Sequence, residues 1–193
     1  MSKFAAAILV AALPIAAVAA PESYTLDQYH TWAYFEVNHL GFSNIRGRFD
    51  KSSGKFSIDK AAKTGTLDLS IETASVSTDS KGGLPRSRDE HLRSPDFFNV
   101  AEFPRMTYKA TSVTFNGDSL ASVEGSLTLL GVTKPVSLRL ENWKCGANPF
   151  SKKEMCGGNA SGVLKRSDFG IKFGIPAMSD EIKLWVGFEA LKD

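Results

Sequence analysis

Apolar and polar side chains alternate one for one through most of this chain. Phe35, Val37 and His39 alternate with Tyr34, Glu36 and Asn38, and Leu67, Leu69 and Ile71 alternate with Thr66, Asp68, Ser70 and Glu72. The pattern returns at Val123, Leu127 and Leu129, at Val136, Leu138 and Leu140, and near the C-terminus at Ile182, Leu184, Val186 and Phe188. A period of two sends successive side chains to opposite faces of a strand. Polar partners in every run mean one wet face, which favours antiparallel sheets over doubly covered parallel ones. Turn-forming residues interrupt the runs at Ser52-Ser53-Gly54, Asn116-Gly117-Asp118, Gly131 to Pro135 and Gly157-Gly158-Asn159, as hairpins and short loops require. Strands so spaced predict a sandwich or a barrel, and closure removes the edges an all-β chain must otherwise protect. The expected fold is all-β: a single extended antiparallel β-barrel of about eight strands.

One segment departs from the alternation. Residues 85–95 carry Arg86, Arg88, Asp89, Glu90, His91, Leu92 and Arg93 and end at Pro95. Glu90 and Arg93 have the spacing of (i, i+3) partners, which predicts a short helical excursion between strands. Its charges read most simply as a solvated face, with Phe97 and Phe98 tucked against the barrel. Gly41, Gly47, Gly65 and Gly125 are candidate bend or bulge positions.

The ends and the composition place this barrel. Lys3, the apolar run from Phe4 to Val18, and the small residues Ala17 and Ala19 form a secretory signal, with cleavage expected after Ala19. The run is shorter than the roughly 20 residues needed to span a bilayer. Residues 1–19 are therefore read as a signal peptide and 20–193 as one domain, expected in the periplasm. Net charge is +2, falling to about +1 once Lys3 is removed, so nothing favours nucleic acid as a partner. Cys145 and Cys156 lie close together in a stretch rich in Gly, Asn, Pro and Lys. In an oxidising compartment that spacing suits a local disulfide, contributing about 3 kcal/mol by the chain-entropy estimate. A metal pair would need further His or Cys ligands nearby.

The inward phase holds the candidate binding residues: Phe35, Val37, His39, Phe49, Leu67, Leu69, Ile71, Leu127, Leu129, Leu138, Leu184, Val186 and Phe188. Such residues serve equally as simple core packing, because alternation demonstrates a core without showing that it is hollow. His39 reads either as a hydrogen-bonded structural residue or as a headgroup contact. Arg166 and Asp168 read as an ion-paired turn fixing the final strand, or as weaker headgroup contacts. His91 or Ser167 would serve a lipid-modifying hydrolase, yet the chain has no nucleophile elbow, zinc motif or phosphate-cradling loop. No catalytic residue, metal or chemical cofactor is assigned.

Four segments in order resemble the YceI-like polyisoprenoid-binding proteins. They are Phe35-Glu36-Val37-Asn38-His39-Leu40-Gly41 with Ile45 to Phe49, Arg88 to Phe98 followed by Phe103-Pro104, Leu127 to Val136, and Arg166-Ser167-Asp168-Phe169-Gly170. Together they cover roughly Ser23 to Leu191, and the stretch from Cys145 to Cys156 departs from the pattern. The resemblance implies a lipocalin-like barrel whose channel holds a long-chain isoprenoid, such as an isoprenoid quinone or polyprenyl lipid, or a fatty amphiphile. Transient contact with a membrane surface is a further expectation, and the sequence leaves monomer and homodimer both open. Burying hydrocarbon contributes about 0.8 kcal/mol per carbon, so even a twenty-carbon tail offers on the order of 15 kcal/mol before association costs. The competing reading is a filled barrel acting as a structural or interaction protein through its surface.

Overall fold

A computed structural model describes residues 20–80, 82 and 85–193. The signal peptide expected over 1–19 lies outside the described residues. Among them, eleven strands form one antiparallel sheet: β1 (Glu22–Leu26), β2 (Trp32–His39), β3 (Ser43–Phe49), β4 (Ser52–Asp59), β5 (Thr64–Glu72), β6 (Val76–Ser77), β7 (Arg105–Asn116), β8 (Ser119–Leu129), β9 (Val132–Ala147), β10 (Glu154–Lys165) and β11 (Glu181–Lys192). The sheet closes, because β1 pairs with both β4 and β11.

Pairing reduces the eleven strands to eight staves. The edge of β11 pairs first with β2, through Lys183↔Glu36 to Gly187↔Trp32, and then with β1, through Leu26↔Ala190 to Tyr24↔Lys192. β1 and β2 are thus one stave broken at residues 27–31. By the same reasoning β3 and β4 are one stave broken at 50–51, and β5 and β6 one broken at 73–75. The result is an up-and-down antiparallel barrel, the all-β closed fold that the alternation predicts.

The three breaks lie side by side and are stitched together. The Ser52 hydroxyl donates to the Thr31 carbonyl at 2.7 Å, the Glu72 N–H to the Lys51 carbonyl at 3.0 Å, and the Asp50 N–H to the Ser75 carbonyl at 3.1 Å. Thr31, Ser52 and Thr73 are buried there. They are polar because a kinked strand frees backbone groups that must find partners out of water.

Two of the expected interruptions are not loops. Ser52-Ser53-Gly54 begins β4, and the break lies just before it, at residues 50–51. Gly157-Gly158-Asn159 lies inside β10, where the register with β9 shifts at Asn159/Ala160. A Cβ on Gly158 would sit 2.5 Å from the Asn142 carbonyl oxygen, so glycine here admits a close backbone approach rather than a turn. Val132 to Pro135 likewise belong to β9, and the turn before them is Leu130-Gly131.

The connections at one end gather around a mouth: residues 40–42, 130–131, 166–180 and, among the described residues, 78–80, 82 and 85–104. The opposite end, with both described termini, is the floor. Helix α1 (Arg88–Arg93) crosses the mouth side. Its capping box joins Ser87 and Glu90: the Ser87 N–H donates to Glu90 at 2.7 Å and the Glu90 N–H to the Ser87 hydroxyl at 3.2 Å. Glu90 is therefore a cap rather than the expected partner of Arg93. The Arg93 guanidinium instead donates to the carbonyls of Ala74 and Val76, at 2.9 and 2.8 Å, bolting the helix to the third break. Phe98 packs edge-on against Phe49, centroids 5.2 Å apart.

Candidate functional site

An eight-stranded barrel is just wide enough for side chains to fill or for one small ligand to enter. Here the two halves differ. The floor half is plugged by rings: Tyr24 stacks on Phe56 at 4.9 Å, and Phe56, Trp143 and Phe188 meet edge-on or tilted at 5.8 to 6.3 Å. Beside them the Cys145–Cys156 disulfide joins directly paired residues of β9 and β10. A small cavity of about 70 Å³ lies in this half.

The mouth half holds a chamber of about 490 Å³, within the roughly 300–1,000 Å³ range of enclosed small-molecule sites. Two of its large rings lie flat on the wall because glycines make room for them. A Cβ added to Gly47 would run into the Phe35 ring, and one added to Gly125 would run into the Tyr108 ring. Gly125 also faces the β7 irregularity between Ala110 and Ser112. These two expected bend positions thus act as recesses that keep bulk out of the lumen.

The chamber wall offers a ligand almost no polar atoms. The Tyr108 hydroxyl donates to the Val136 carbonyl at 2.9 Å and lies 3.1 Å from that of Val123, and burial pushes its pKa up. Polar groups collect at the mouth, where Thr78, Ser80, Arg86, Arg88, His91 and His39 form a collar. His39 projects into this rim, and among the described residues its ring has no hydrogen-bond partner, unlike the structural histidine that was one reading of it.

Eleven of the residues chosen from the alternation line the chamber: Phe35, Val37, His39 and Phe49 on one side, and Leu69, Ile71, Leu127, Leu129, Leu138, Leu184 and Val186 around the rest. Leu67 and Phe188 are displaced from it. Both face the small floor cavity, because they lie beyond the layer of Leu69, Leu138 and Val186 that divides the two spaces. The sequence reading missed Ile171, Phe173 and Met178, which line the mouth from an irregular segment where no periodicity exists to mark them.

Arg166 and Asp168 do not pair. The buried Arg166 guanidinium donates to the carbonyls of Ser179, Phe173 and Met178 at 2.9, 2.8 and 3.1 Å, which holds the β10–β11 connection over the rim. Burial lowers its pKa, with Asp180 opposing the shift. Asp180, not Asp168, is the local anchor: the N–H and hydroxyl of Ser167 donate to its carboxylate at 2.8 and 2.7 Å, which holds its pKa below the usual value. The Ser167 hydroxyl is therefore engaged with a carboxylate rather than with a histidine. His91 pairs with Asp96 at 2.8 Å and packs edge-on between Phe97 and Phe173, centroids 5.0 and 4.8 Å away. No hydrogen bond joins Ser167 to His91 among the described residues.

Residues 24–190 match the YceI-like domain family. The chain is 37% identical over 191 residues to a UPF0312 protein of Pseudomonas aeruginosa (strain LESB58), covering 97% of this chain and 96% of the relative. Among solved structures it is similar to the Campylobacter jejuni YCEI protein, with TM-score 0.65 and 29% identity over 81% of this chain and 90% of that one. It is also similar to a polyisoprenoid binding domain from Saccharophagus degradans, with TM-score 0.61 over 88% of this chain and 98% of that one. At 18% identity that second likeness is one of fold.

Proposed function

The chain belongs to the YceI-like domain family, and from that premise we propose that it is a periplasmic carrier sequestering a long-chain isoprenoid or similar amphiphile. The observation that carries this reading is the chamber: about 490 Å³, apolar along its walls and rimmed by polar groups at its mouth. A hydrocarbon tail gains about 0.8 kcal/mol per carbon desolvated there, and the wall offers no chemistry to distinguish one tail from another. The headgroup stays at the collar, where His39, Arg86 and Arg88 stand ready to meet it. The bonded Cys145–Cys156 pair supports an oxidising compartment, in keeping with the leader read from residues 1–19. The described residues contribute binding and shielding, and no chemical cofactor is called for.

The test is to purify the protein from the periplasm of exporting cells, extract it with organic solvent and weigh what is released. A stoichiometric prenyl or acyl lipid is the expected result. Val186→Glu, which puts a charge into the wall, should lose that lipid while the barrel still melts cooperatively. A wild-type protein that yields no lipid and takes up neither a prenyl nor an acyl probe sinks the proposal.

A further inference from the structure

Two hairpins at the mouth end are built on the same dipeptide. In the β2–β3 turn, Leu40 and Gly41 have φ of 58° and 76°, and in the β8–β9 turn Leu130 and Gly131 have 51° and 73°. Two consecutive positive φ values are the signature of a type I′ turn, for which Asn-Gly or Asp-Gly is favoured and a bulky apolar residue is strained. Leucine at the first position therefore calls for a reason. At the β8–β9 turn the fold supplies one: Leu130 packs against the core, and Phe103 lies over Gly131.

The β2–β3 turn has no such cover. Leu40 is 52% exposed and Phe42, closing the turn with its N–H on the His39 carbonyl, is 92% exposed. The tip is tied to the β10–β11 connection, since the Leu40 N–H donates to the Ala177 carbonyl at 2.8 Å. That connection adds exposed Pro176 and Ala177 and the half-exposed ring of Phe173. Residues 39–45 and 169–179 contain no carboxylate, and their one fixed charge is Lys172. Phe173, Met178 and His39 also line the chamber, so this outer apolar patch runs without interruption into the lumen.

From this we infer that the Leu40-Gly41-Phe42 tip, with Phe173, docks the mouth onto an anionic lipid bilayer. The inference rests on the carrier reading and adds to it the route by which cargo enters. A tip with no carboxylate of its own, Lys172 beside it and continuity with the lumen select a lipid surface rather than a protein groove. A bilayer accepts Leu and Phe at shallow depth, attracts Lys172 and leaves a hydrocarbon path to the chamber. Phe150, equally exposed at the floor end beside Pro149, Lys152 and Lys153, does not line the chamber and serves as the control.

Flotation with vesicles of phosphatidylethanolamine and phosphatidylglycerol tests this. The wild-type protein should float. Phe42→Ser should bind roughly tenfold more weakly, the loss expected for one immersed aromatic side chain. Phe150→Ser should bind like wild type. Leu40→Asn installs the favoured Asn-Gly turn, so it should raise the melting temperature while weakening flotation, a combination that misfolding does not produce. Loading of a fluorescent prenyl probe is then followed from vesicles and, separately, from detergent-free solution. Phe42→Ser should load normally from solution and slowly from vesicles. Loading of wild type from solution without flotation overturns the docking and leaves the carrier reading intact. Flotation without loading from either source overturns the carrier reading alone. Phe42→Ser that floats like wild type, or that merely converts a dimer to a monomer by light scattering, overturns the docking.

Discussion

Gly47 and Gly125 matter for what their missing side chains permit. Each lies beneath an aromatic ring, Phe35 and Tyr108 respectively, that would otherwise stand across the lumen. Adding a methyl at Gly125 forces Tyr108 inward or breaks its hydrogen bond to the Val136 carbonyl. Overpacking of this kind costs about 2 kcal/mol. Gly125→Ala should show that loss in a denaturant titration together with a reduced capacity for prenyl probe, whereas a bend-forming glycine would affect stability alone. This role was illegible in the sequence, where a glycine inside a strand signals a bulge as readily as a recess. Thr31, Ser52 and Thr73 are polar yet buried, because the backbone breaks beside them need partners, and nothing in the alternation marks where a stave breaks.

At the scale of elements, the connection from β10 to β11 carries the mouth and hangs on two side chains. Arg166 holds it through three carbonyls, and Asp180 secures its start through Ser167. The Asp180 carboxyl has a folded pKa below its ordinary 3.8, so its contribution is fully present above that value and is lost as pH falls through the lowered one. Asp180→Ala should therefore cost about 2 kcal/mol at neutral pH. The gap to wild type should shrink below pH 3.8, read from melting curves across acid pH. The strands themselves were legible, since period-two runs mark β2, β5, β8, β9 and β11 without help from tertiary structure. This connection was not. Ile171, Phe173 and Met178 follow no period, and only the folded chain brings them over the lumen.

For the whole molecule, alternation along eight staves fixes which side chains face inward but not whether they meet across the barrel. Ring bulk decides that, filling the floor and leaving the mouth half open. Leu69, Leu138 and Val186 separate the two spaces. Leu138→Ala should join them at a cost of about 3 kcal/mol. The variant should then retain longer prenyl alcohols than wild type, measured by competition along a series of chain lengths. Eleven of the chosen inward residues do line the chamber, and Leu67 and Phe188 fall below the dividing layer, a distinction that depth along the axis makes and sequence phase does not.

The ring plug and its neighbouring disulfide turn the barrel into a vessel with one door. Among the described residues the rings close off the floor, so on the carrier reading no competitor pushes cargo out from behind. A tail must back out along the path by which it entered, so loading and unloading exclude one another in time. Donor and acceptor have to be visited in turn by the same face of the protein. On the proposed carrier reading, such a molecule would work as a shuttle that travels rather than as a conduit that joins two compartments.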